Sequence, residues 1–335
     1  MALRLVEINI SEQKLSSIKS ALADTEHVEV AFQRLDEGRV LVRILIQTLR
    51  SEPILDHLRR NFSLDEGFRM TLIPVEGTIP NLIPDVGIDT RKIRQRGPAR
   101  INRTELLTDL EGGIELDRIF QATVILSAIV AAVGLLRNDV AIIIGAMVIA
   151  PLLTPNMALA LGTTLGDMKL LRRALTTNLA GVALTLVFST ALGTMFHPDL
   201  SLPSIGARTS VSLGDLVLAL ASGSAGALAF TTGVSASLVG VMVAVALMPP
   251  LVVCGMMLGS QQFGSAAGAG LLVAANVICV NMSAVITFTL QGIQPKTWWE
   301  AGKAKTSTRI AVFIWGLLLV SLIILLQFTD IFSSE

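Results

Sequence analysis

The rhythm of hydrophobic and polar positions changes once, sharply, along the chain. From Leu3 to Ile10 apolar and polar residues alternate, the period of a half-buried strand. Ser11 stands where a helix N-cap would, and Leu15, Ile18 and Leu22 share one face of a helix over 11–23. Alternation returns over Val28–Leu35, with Val28, Val30 and Phe32 on one side. It resumes after the Glu37-Gly38 turn over Arg39–Thr48. Glu52–Phe62 reads as a second helix with Ile54, Leu55, Leu58 and Phe62 as its buried stripe, and Phe68–Val75 as a fourth strand. The order βαββαβ predicts a ferredoxin-like α+β domain over residues 1–82.

Beyond residue 117 both periods vanish and apolar runs long enough to cross a bilayer follow one another. They fall at about 118–136, 139–166, 174–196, 211–231, 234–259, 263–291 and 310–328. The chain therefore reads as a multispan α-helical membrane protein of seven helices over 118–331, behind the small N-terminal domain. Residues 83–117 form a linker and a juxtamembrane amphipathic helix, Thr104–Asp117, interrupted at Gly112-Gly113.

Composition sharpens this. The 335 residues are 52% hydrophobic and only 16% charged, against about a quarter charged in soluble domains. Of the 26 Lys and Arg, 17 precede residue 119, as do 19 of the 26 Asp and Glu. The net charge of zero excludes a basic nucleic-acid-binding protein. Cys254 and Cys279 lie in apolar runs and read as small buried hydrophobes, not as a disulfide. No apolar h-region opens the chain, so the N-terminal domain is expected to stay in the cytoplasm. With that start, the inside loops hold Lys169, Arg172, Arg173, Lys296, Lys303, Lys305 and Arg309, and the outside loops only Arg137 and Arg208. The positive-inside rule then places the C-terminus outside, in the cytoplasmic membrane, with Trp298 and Trp299 at an interface.

Two segments echo each other. GAMVIAPLLTP at Gly145–Pro155 and GVMVAVALMPP at Gly240–Pro250 share Gly, Met, Val, Leu and Pro at a constant offset. They fall in spans of opposite direction, which predicts a 3+3 inverted repeat with one helix added. Proline lacks an N–H and clashes with the carbonyl four residues back. Pro151 and Pro155 thus free the carbonyls of Met147 and Pro151, and Pro249 and Pro250 those of Val245 and Ala246. Two broken helices in corresponding positions point to a transport site at mid-membrane. Simple kinks packed by neighbours are the plainer alternative.

Polar side chains could complete such a site. Thr154 and Asn156 flank the first break, and Asn178, Asn276 and Asn281 lie inside later spans. Each could equally be interhelical glue. Asp215 is the acidic candidate within a span, for a proton or cation, unless it sits at the outer interface. Asp139 and Asp167 stand at span starts, as caps. Small residues at 222–229 and 264–270 favour close packing within or between subunits, and a homo-oligomer is expected. The linker carries Arg91, Lys92, Arg94, Arg96, Arg100 and Arg103, able to bind anionic headgroups or to serve as a solvated hinge.

The segments AIIIGAMVIAPLLTPNMALALG and GVMVAVALMPPL, behind a βαββαβ domain, resemble the prokaryotic "uncharacterized hydrophobic domain" family, domain of unknown function 389. The resemblance implies a prokaryotic multispan membrane protein and brings no substrate, cofactor or catalytic residue. The spans hold no His-x-x-x-His, no Ser/His/Asp set and no paired carboxylates, so an enzyme is not expected. Three functions remain: a transporter of an ion or small polar solute, a gated channel controlled by the N-terminal domain, and a non-transporting scaffold or sensor.

Overall fold

The computed structural model describes residues 3–23, 27–35, 38–47, 54–58, 61–62, 68–75, 78, 103–232, 236–293, 315–317 and 320–321. The chain forms two units, Met1–Glu105 and Leu106–Glu335.

In the first unit alternation builds the sheet. The strands are β1 (Leu3–Ser11), β2 (Glu29–Arg34), β3 (Arg39–Gln47) and β4 (Arg69–Val75). All neighbours pair antiparallel in the order β2-β3-β1-β4, with Val6 opposite both Ile44 and Leu72. Helix α1 (Leu15–Ala23) lies between β1 and β2, and α2 (helical at 54–58 and 61–62) between β3 and β4. Val6, Ile8 and Ile10 are buried with Val42, Ile44, Ile18, Leu22, Leu58 and Phe62, so the even positions of β1 make the core. Ser11 departs from expectation. It ends β1 and leads into a 3-10 turn, Glu12–Lys14, and its side chain caps nothing. The Glu12 N–H is already taken by the Gly38 carbonyl at 2.8 Å. Arg4 makes a two-nitrogen ion pair with Glu105, at 2.7 and 3.3 Å.

The boundary between the units falls within α3 (Arg103–Gly112), and the second unit continues with α4 (Arg118–Leu136), α5 (Val140–Ile149), α6 (Leu153–Leu165), α7 (Met168–Phe196), α8 (Leu213–Thr232), α9 (Ala236–Gly259) and α10 (Phe263–Leu290). A single helical turn, Pro203–Gly206, precedes α8. Aspartates start three of these helices. Asp117 accepts from the Phe120 N–H at 2.7 Å, Asp139 from Ala141 and Ile142, and Asp167 from Lys169 and Leu170. Each carboxylate satisfies N–H groups that have no helical partner.

Among the described residues four helices are long and apolar enough to cross a membrane: α4, α7, α8 and α10. The bent pair α5–α6 makes a fifth, and the Leu247–Gly259 part of α9 is apolar but shorter. The expected seventh span falls outside the described residues except for helical residues at 315–317 and 320–321.

Among the described residues, landmarks recur ninety-five positions apart between two sets of helices, α4–α7 and α8–α10, whose third members are α7 and α10 when the bent pair α5–α6 is taken as one. α4 and α8 begin at Arg118 and Leu213, and α7 and α10 at Met168 and Phe263. The turns before the third helices hold Gly166 and Gln261 in the left-handed region, at φ 67 and 60°. The next residues donate back to Gly162 O and Met257 O, both at 2.9 Å. His197 and Gly292, at φ 43 and 71°, follow the third helices. The two sets interlock, since α7 packs on α9 and α10 on α6. Thr177, Gly181, Thr185, Ser189 and Gly193 are the buried face of α7. A Cβ on Gly193 would lie 2.7 Å from the Met256 Cα, and one on Gly259 2.7 Å from the Thr194 nitrogen, so backbone meets backbone along this seam.

Candidate functional site

The break in the second span is local chemistry. Ala150 precedes Pro151, and that position is driven out of the helical region by the proline ring. Ala150 is extended, at φ −63 and ψ 118°, and α5 and α6 meet there at 52°. Pro151 brings no N–H to the Met147 carbonyl. Pro155 has a different role from the one expected. It is the third residue of α6, where an N–H has no helical partner, so it starts a helix rather than breaking one. Leu152 precedes α6 without a side-chain cap.

The second break is absent. Pro249 and Pro250 lie inside α9, which runs unbroken from Ala236 to Gly259. Both prolines are buried. Dense packing of α9 on α7 and α10 holds it helical despite the lost donors. Val245 and Ala246 are in α9, with their side chains outside the described residues.

Three asparagines from three helices meet beside the break. Asn156, on the first turn of α6, donates to the Leu152 carbonyl at 2.8 Å and to Asn178 Oδ1 of α7 at 3.1 Å. Asn281 of α10 donates to Asn156 Oδ1 at 2.9 Å and to the Val277 carbonyl at 2.9 Å. Asn156 and Asn281 are buried, and Asn178 is half-buried. The bonds leave Asn178 Nδ2 and Asn281 Oδ1 buried with no protein partner among the described residues. Asn276 is buried on α10, five residues before Asn281. Met147 is buried in α5 one turn before the break.

Thr154 faces elsewhere. A Cβ on Gly113 would lie 3.2 Å from its Cβ, so Thr154 packs on the chain entering α4. Beside it Thr177 donates to the Ile114 carbonyl at 2.8 Å. Ser127 of α4 donates to the Ala146 carbonyl of α5 at 2.7 Å, one turn before the break. Gly113, Ile114, Thr177 and Ser127 hold the outside of the break and were not foreseen. The only signal was the Gly112-Gly113 pair, which reads as an interruption and says nothing of what meets it.

Asp215 stands at a helix start. It is half-buried in the first turn of α8, where its carboxylate accepts from the Ser212 N–H at 2.8 Å and hydroxyl at 2.7 Å. The Asp215 N–H in turn donates to the Ser212 hydroxyl at 3.3 Å. This reciprocal pair is a capping box at a helix end, outside the bundle interior. Close by, burial lowers the Arg208 guanidinium pKa and the Asp215 charge opposes that. Arg103 is the first residue of α3, while Arg91, Lys92, Arg94, Arg96 and Arg100 fall outside the described residues. Every buried polar side chain among the described residues is a Ser, Thr or Asn. Among the same residues, no three His, Cys, Asp or Glu side chains gather as a metal site would require.

The family described as domain of unknown function (DUF389) matches residues 147–282, from Met147 at the break to the residue after Asn281. An uncharacterized protein of Methanocaldococcus jannaschii, MJ0678, is 30% identical over 326 residues, covering 97% of this chain and 99% of that one. No solved structure matches the chain. A break, an asparagine chain and apolar helices within the matched segment, together with a relative aligned almost end to end, establish that the chain belongs to the DUF389 family.

Proposed function

We propose that this protein is a transporter of an ion or small polar solute in a prokaryotic cytoplasmic membrane, with its site at the break between α5 and α6. The observation that carries the reading is energetic. An interhelical hydrogen bond within a membrane protein contributes about 0.6 kcal/mol on average. Asn156 makes two, to Asn178 and Asn281. Each buried orphan atom costs about 1–3 kcal/mol, and the three asparagines carry two. Taken as a set, the three asparagines thus lose stability on balance, although removing one alone orphans its partners. Polar groups kept at a net cost beside an interrupted helix belong to a solute pathway.

The recurring landmarks support the 3+3 inverted reading. Three crossings per set reverse the direction of the second, and the interlocked packing pairs equivalent surfaces. In that scheme α9 can open at Pro249–Pro250 in the alternate state, as α5–α6 is open here. Seven spans, a cytoplasmic N-terminus, an outside C-terminus and a homo-oligomer complete the proposal. The exposed Leu175, Leu179 and Val187 of α7 would face lipid or a second copy.

Thiol labelling tests the pathway. In a chain with Cys254 and Cys279 replaced by Ala, Asn156→Cys should react with a membrane-impermeant reagent, and Ala219→Cys on buried α8 should not. An inert Cys at 156 would remove the pathway and leave the scaffold reading. Labels at Ser20→Cys and Ser334→Cys should come from opposite sides.

A further inference from the structure

The hydrogen-bond arithmetic of the asparagine chain selects a class of solute. Asn156 spends both amide hydrogens, on Leu152 O and Asn178 Oδ1, and Asn281 spends both of its own, on Asn156 Oδ1 and Val277 O. What remains is a donor at one end, Asn178 Nδ2, and an acceptor at the other, Asn281 Oδ1. The residue carrying that acceptor has no exposure at all. The interrupted span adds polarity of the same kind. The N-terminus of α6 presents partial positive charge and the C-terminus of α5 partial negative charge, and both ends meet at residues 150–152. No full charge is buried among the described residues.

A full charge buried in a protein is held by a side chain of opposite charge, and among the described residues no charged side chain is buried. Resting on the transport reading above, we infer that the site takes a small uncharged amide. An amide carbonyl would accept from Asn178 Nδ2 and an amide N–H would donate to Asn281 Oδ1, so amide solutes extend at either end the chain already built from the three asparagines. A solute with only acceptors leaves Asn281 Oδ1 unmatched, and one with only donors leaves Asn178 Nδ2 unmatched.

The test uses the full-length protein reconstituted into liposomes, with urea, acetamide, glycerol, rubidium-86 and chloride-36 as probes. Urea and acetamide should equilibrate at least tenfold faster than in protein-free vesicles, with rubidium and chloride unchanged. Asn281→Leu should return amide flux to the protein-free rate. Asn178→Asp keeps the shape and the acceptor for Asn156 while deleting the donor, and should lose at least tenfold even if the leucine variant misfolds. Flux of rubidium or chloride without amides, or of glycerol alone, would overturn the solute class and leave the pathway standing. Amide flux insensitive to both substitutions would overturn the site. If no probe moves while Asn156→Cys still labels, the amide class falls and the pathway survives. If no probe moves and Asn156→Cys is inert, the transport reading falls with it.

Discussion

The sets α4–α7 and α8–α10 differ where the proposed repeat would make them most alike. Their turns coincide, Gly166 with Gln261 and His197 with Gly292, yet their middle helices do not. The first is parted at Ala150–Leu152 and bent by 52°, while the second is one continuous helix through two prolines. Proline count therefore does not decide where a helix breaks. What decides it is the residue before the proline and the packing around it. Ala150 is extended, whereas α9 packs on α7 and α10 and stays helical. The asparagines are just as uneven. At the positions matching Asn156, Asn178 and Asn281 in the other set stand Leu251, Val273 and Leu186. A repeated frame carries an unrepeated site.

The sharpest way to break this comparison is at the seam between the sets. Gly193 matches Phe288, which is fully buried. Gly193→Leu should cost about 3 kcal/mol by forcing α7 off Met256. Phe288→Ala should cost about 3–5 kcal/mol through the cavity it leaves. Thermal unfolding followed by circular dichroism in detergent reads both, and a neutral Gly193→Leu would refute the close approach. Next come the prolines. Pro249→Ala restores a donor inside a continuous helix and should stabilise by up to about 3 kcal/mol, while slowing any flux that requires α9 to open. Pro151→Ala, where the helix is already parted, should change stability by less than about 1 kcal/mol. Equal effects would mean that the two spans are alike after all.

Asn156→Leu should cost about 2 kcal/mol, because the Asn178 oxygen loses its donor. Leu251→Asn, at the matching position of the other set, has no such partners to join and should cost at least as much. Smaller again are the shared turns. Gly166→Ala should lose about 1–2 kcal/mol at its positive φ, and Gln261→Gly should gain about 1 kcal/mol at the equivalent one. The smallest effect belongs to Asp215→Asn. It weakens a half-buried cap by about 0.5 kcal/mol and should leave flux unchanged. Lost flux there would return Asp215 to the pathway.

Most helix limits were legible because their causes are local. Asp117, Asp139 and Asp167 start helices by their own side chains, and Pro151 ends one by its ring. The strands were legible because Val6, Ile8 and Ile10 alternate against one buried face. The site was legible only in parts. Asn156, Asn178 and Asn281 could each be picked out, but the bond from Asn281 to Asn156 spans 125 residues of sequence, and no local pattern encodes it. Pro249–Pro250 and Asp215 misled for the same reason in reverse. A proline's lost donor and an acid's charge are local facts, while the packing that tolerates one and the serine that engages the other depend on place.

The α7–α9 seam constrains how this molecule can move. Thr185, Ser189 and Gly193 recur every fourth residue, and so do Gly255 and Gly259 across from them. Where backbones touch, no side chain can flex to absorb a small slip. The glycines act as teeth in a rack, about 6 Å apart along each helix. The pair can stay engaged or jump a whole tooth, and a partial slide would drive a carbonyl into the neighbouring chain. Any gradual motion must then run through other seams, and this one is a latch.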